Sequence, residues 1–125
     1  MTVNKDRVEL LCQALESGRY IQCRNRLRRT PLGLVQRWSY CALGVAIDVA
    51  VQNGLQVTFN EIENWYYLCG DLPREVQEWY GFEDYNPDIV LDGDELPIAT
   101  ANDDGADFWI ISQAIRAGYL KDPDA

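Results

Sequence analysis

"YCALGVAIDVAVQNG", residues 40–54, decides how the rest of the chain must be arranged. Placed at 100° per residue, its apolar side chains cover about two-thirds of the circumference, an arc that suits a helix surrounded by protein. A helix over about 41–53 is therefore predicted at the centre of the fold, ended by Asn53-Gly54. Gly44 costs such a helix about 1 kcal/mol against alanine, which close packing against a neighbour would justify. Asp48 and Gln52 share the narrow polar stripe, where Asp48 either faces solvent or holds an arginine such as Arg37 or Arg24.

Other segments supply the covering. Asn4 to Ser17 reads as an amphipathic helix with Val8, Leu11 and Leu15 inward and Gly18 as its stop. "TFNE", Thr58 to Glu61, has the capping-box pattern and predicts a helix to about Leu68, with Phe59, Ile62, Trp65, Tyr66 and Cys69 turned inward. "DLPREVQEWYG", residues 71–81, places Pro73 in a first turn, groups Val76, Trp79 and Tyr80 on one face, and ends at Gly81. "DIVLDGDELPIAT" predicts a short hairpin turning near Asp92-Gly93, kept to an edge by Pro97.

The segment "ATANDDGADFWIISQAIRAG", residues 99–118, invites a calcium-loop reading that fails on inspection. With Gly105 at the sixth loop position, the twelfth is Ile111, where calcium needs a bidentate glutamate. Helix capping accounts for the same residues: Asn, Asp and Gly accept free amides ahead of a helix, and Asp107 in its first turn favours the positive dipole end. Phe108, Ile111, Ala114 and Ile115 then face the core. Trp109 falls among Ser112, Gln113 and Arg116 on the polar face, either flat against neighbouring loops or as an anchor for a partner.

Charge divides the chain. The net charge of −9 conceals six arginines and no acid between Ser17 and Ile47, then eleven acids and no base between Glu75 and Ile115. The basic block interleaves arginine with Tyr20, Trp38 and Tyr40, as a single-stranded nucleic-acid site would. The two blocks facing each other across the fold would explain it equally, and the whole domain repels phosphate at long range. Direct nucleic-acid binding is not expected.

Composition removes several chemistries. With no histidine, Ser/His/Asp and Cys/His nucleophilic sites cannot be built. The four cysteines, Cys12, Cys23, Cys41 and Cys69, contain no CxxC pair and read as buried free thiols rather than a zinc cage. No apolar run approaches the roughly 20 residues that cross a bilayer. The charged N-terminus lacks a signal-peptide apolar block, so a cytoplasmic location is expected.

The order of four short blocks also resembles a family of small bacteriophage and prophage proteins of unassigned function. The matches are Gly18, Tyr20 and Gln22; Cys41, Leu43, Gly44 and Val45; Leu72, Pro73, Val76, Trp79 and Gly81; and Asn102, Asp103, Gly105, Phe108 and Ile111. Ala42 is a mild departure, and Trp109 has no counterpart in the pattern. The resemblance implies a phage accessory protein inside a bacterial host cell and brings no catalytic residues with it.

The expected architecture is mainly α (α+β): one domain over residues 1–125, four to five short helices around the central one, and one small β element. The expected function is a non-enzymatic binding protein, with no catalytic residues, metal or cofactor. Asp103, Asp104, Asp107 and Trp109 would meet a host or defence-system protein with a basic surface. One alternative is a small-ligand or nucleotide binder, with Gln22, Arg24 and Arg28 near the Asn102 turn gripping phosphate. A structural or assembly component is the third reading.

Overall fold

A computed structural model describes residues 2–23, 28–29, 39–57 and 71–121. The fold is mainly helical, with two small sheets. Five α-helices lie within the described residues: α1 (Lys5–Glu16), α2 (Ala42–Gln52), α3 (Arg74–Tyr80), α4 (Ile98–Asp103) and α5 (Phe108–Ile115), the last continued by a π-helical turn, Arg116–Leu120. The helix expected over 58–68 lies outside the described residues, as do Cys69, Arg24, Arg26 and Arg37.

Helix α2 is the hub, touching α1, α3 and α4. Residues 42–47, with Val49 and Ala50, are buried, as the breadth of its apolar arc requires. It begins at Cys41, whose Sγ accepts the Gly44 amide at 3.4 Å in place of the usual hydroxyl or carboxylate cap. The arginines expected as alternatives for Asp48, Arg24 and Arg37, lie outside the described residues. Asp48 Oδ2 accepts the Tyr20 hydroxyl at 2.6 Å, and burial followed by that bond raises the phenol above its ordinary range.

The first and last helices pack along each other. Val8, Leu11, Cys12, Ala14 and Leu15 turn inward from α1, whose start is capped by Asn4 Oδ1 accepting the Arg7 amide at 3.1 Å. Phe108, Ile111, Ala114 and Ile115 meet the core from α5 as expected. Ser112 departs from its polar-face assignment. It is fully buried, and its hydroxyl donates to Glu16 Oε2 and the Cys12 carbonyl. Arg116 closes the seam, with Nε 2.8 Å from Glu16 Oε2 and Nη1 2.7 Å from Glu9 Oε1.

Helix α3 delivers Tyr80 to the centre, where its hydroxyl donates to the Ala46 carbonyl at 2.6 Å and its ring stacks on Phe82. Gly81 ends α3 at φ +81°, and the N-terminal segment lies directly on it: a Cβ there would sit 2.4 Å from the Thr2 carbonyl oxygen. Arg7 spans the same corner, its guanidinium 4.5 Å from the Trp79 ring centroid.

Both sheets are short. Strands β4 (Asp88–Leu91) and β5 (Asp94–Pro97) form the predicted hairpin, with Asp88 opposite Pro97 and Leu91 opposite Asp94. Asp92 and Gly93 both take positive φ, 53° and 84°, as a two-residue turn matched to strand twist demands. The second sheet was not expected: β1 (Ile21–Gln22) runs parallel to β3 (Ser39–Tyr40), and β2 (Arg28–Arg29) pairs antiparallel on the other side of β3. Part of the arginine-rich segment is thus strand.

Candidate functional site

The NDDG turn is built differently from a cap ahead of a helix. Asn102 and Asp103 are the last residues of α4, Asp104 follows as its C-cap, and Gly105 turns the chain at φ +115°. The N-cap of α5 is Asp107, whose Oδ1 accepts the Ile110 amide at 2.9 Å. Asp107 therefore holds a definite bond at the helix start rather than a place in its first turn.

Asn102 is fully buried and every polar atom of its side chain is used. Oδ1 accepts from Gln22 Nε2 at 2.8 Å and from the Ala42 amide at 3.2 Å, while Nδ2 donates to the Cys23 carbonyl at 2.8 Å. Gln22 Nε2 also donates to the Ala106 carbonyl at 2.8 Å. The chain does bring Gln22 to the Asn102 turn, but the two groups satisfy each other and leave no free donor for a phosphate. Arg24 lies outside the described residues, and Arg28 belongs to β2. Gln22, the Ala42 amide next to Cys41, and Asn102 meet here from three distant parts of the chain.

Burial holds two of the chain's thiols, Cys12 and Cys41, in the neutral form at ordinary pH. Cys12, Cys23 and Cys41 are buried. Loss of solvation pushes Cys41 up to about 12 and Cys12 up to about 11, far from the range of a reactive thiolate. Among the described residues no group of three or more potential ligands is placed to hold a metal ion.

The C-terminal carboxylates face outward. Glu83, Asp84, Asp88, Asp94, Asp104 and Asp107 are exposed, and none of them has an ion pair among the described residues. Asp103 differs, because its Oδ1 receives the Asn102 amide at 3.3 Å and ties it to the joint. The arginine with a double ion pair, Arg116, is held by Glu9 and Glu16 of α1. Trp109 is 59% exposed beside Ile110 at 44%, so two large apolar side chains stand out at the start of α5 next to Asp104 and Asp107.

Sequence reasoning missed a groove on this face. A groove of about 690 Å³ lies between the hairpin and the end of α5. Its walls carry Glu83, Asp84, Asp88 and Glu95, and Val3, Val90, Ala114 and Ala117 give it an apolar floor. Among the described residues no cationic side chain lines it. Tyr119 stands in the same groove, its hydroxyl donating to the Asp88 carbonyl at 2.6 Å. Burial, reinforced by Asp88, Glu83, Glu95 and Asp84, pushes that phenol up to about 12. The acidic run was visible in the sequence, but its folding around an apolar floor depends on the hairpin packing on α5.

Neither the curated proteins nor the solved structures include one that matches this chain. A protein family does, described as a domain of unknown function, DUF8296, with the match covering residues 4–119. That span runs from the cap of α1 to Tyr119 and takes in the joint and the groove alike. The chain belongs to the family DUF8296.

Proposed function

We propose that this is a phage-encoded, non-enzymatic binding protein, an accessory or anti-defence modulator that acts in the bacterial cytoplasm on a host protein with a basic surface. The observation that carries the reading is the set of exposed carboxylates Glu83, Asp84, Asp88, Asp94, Asp104 and Asp107, none with an ion pair among the described residues. A surface of one sign draws an oppositely charged partner and disfavours nucleic acid directly. The exposed Trp109-Ile110 pair adds apolar contact of the kind that anchors protein interfaces. Phage origin rests on the resemblance of the four sequence blocks.

The test is capture of host-lysate proteins on the immobilised chain at about 0.15 M and about 0.5 M salt, followed by affinity measurements on what is captured. Binding is expected to weaken with salt and to fall further in Asp104→Lys with Asp107→Asn. The asparagine keeps the α5 cap, so loss of charge is not confused with loss of the helix start. Affinity unchanged in that double variant would remove the proposal.

A further inference from the structure

We infer that the groove between the hairpin and the end of α5 is the slot that takes the partner, and that its occupant is a peptide segment bearing arginine or lysine on either side of an apolar residue. This rests on the partner-binding reading above and narrows it to one place and one chemistry. Ile110, Ala114 and Ala117 follow at helical spacing and run about 10 Å along the helix toward the groove. Val90, 59% exposed, faces the groove from β4. Small alanines leave the floor open enough for an inserted side chain. The carboxylates of Glu83 and Asp84 in the loop before β4, Asp88 on β4 and Glu95 on β5 surround that floor.

This arrangement discriminates by two requirements at once. An acidic segment is repelled by four carboxylates with no cation among the described lining residues. A purely charged basic segment gains only screened surface attraction and leaves the floor wet. A segment that adds an apolar side chain also removes the floor from water while keeping its charges at the rim. Charge complementarity together with the alanine-lined floor therefore selects a basic peptide with an apolar centre.

The probe is a nine-residue peptide alternating arginine and leucine, compared by fluorescence anisotropy with one carrying serine for leucine and one carrying glutamate for arginine. The arginine-leucine peptide is expected to bind at least about tenfold more tightly than either control. Ala117→Trp, which fills the floor from an exposed position, and Asp88→Lys with Glu95→Lys are each expected to abolish that margin. Thermal melts confirm that these surface variants are folded. Tight binding that both groove variants leave intact, but that Asp104→Lys with Asp107→Asn removes, overturns the groove and keeps the acidic-face reading. A glutamate peptide that binds as well as the arginine one overturns both.

Discussion

Nε2 of Gln22 lies 2.8 Å from Oδ1 of Asn102, across 80 residues of chain. Through it the parallel β1–β3 pair, the start of α2 and the end of α4 are locked at one buried amide. Asn102→Ala leaves the Cys23 carbonyl and the Ala42 amide without their partner in a site closed to water. The expected loss is about 2–4 kcal/mol in urea unfolding, since each abandoned buried group costs about 1–3 kcal/mol. A loss well under 1 kcal/mol would show that the joint adapts freely.

Arg116 binds the last helix to the first, and its removal is expected to show most clearly in acid. Hydrogen bonding to Arg116 holds the Glu16 carboxyl below the ordinary carboxylate range. A lowered folded pKa contributes stability above the unfolded value, near about 4.3, and that contribution vanishes as pH falls through the folded value. Arg116→Ala is expected to cost about 1–2 kcal/mol at neutral pH and to flatten the decline in stability below about pH 4.5. Chemical denaturation across pH 3 to 7 reads both effects.

Gly81→Ala is expected to cost about 2–4 kcal/mol, from a left-handed backbone worth about 1–2 kcal/mol and a collision with the Thr2 carbonyl 2.4 Å away. Gly93→Ala provides the comparison, because it shares positive φ but has nothing within 4 Å of the added methyl. The difference between the two melting temperatures isolates the contact with the N-terminal segment. Equal shifts would mean that the segment yields.

Alkaline pH attacks the same fold from inside. Cys12, Cys41 and Tyr119 are pushed up to about 11, about 12 and about 12, each chiefly by burial. Raised folded values mean that the stability is complete below the unfolded values and is lost as pH climbs through the folded ones. Unfolding is therefore expected to set in above about pH 9 and to deepen toward pH 12. In Cys41→Ala that decline should become shallower while still beginning near the same pH, because Cys12 remains, as followed by circular dichroism against pH.

The helical skeleton was legible because its signals are local. Asn4, Pro73, Gly81 and Asn53-Gly54 mark ends through short-range backbone chemistry, and the arc of residues 41–53 identified the hub without any tertiary information. Ser112 and Asn102 resisted for the opposite reason. Each is a polar residue buried because a distant element, Glu16 in one case and Gln22 in the other, supplies its partner. A helical wheel assigns such residues to solvent by default. The acids of the candidate site were plain in the sequence, whereas Ala114 and Ala117 became relevant only once the hairpin was seen lying over them.

The seam between α1 and α5 also has a meaning in time. Val8, Leu11 and Leu15 are made well before Ile111, Ile115 and Arg116, and Arg116 follows its partner Glu16 by 100 residues. Vectorial synthesis cannot complete this fold piecemeal, because α1 lacks the cover of α5 until α5 itself has been made. A chain stopped before Phe108 would leave that greasy stripe bare, to be claimed by a chaperone or another nascent chain.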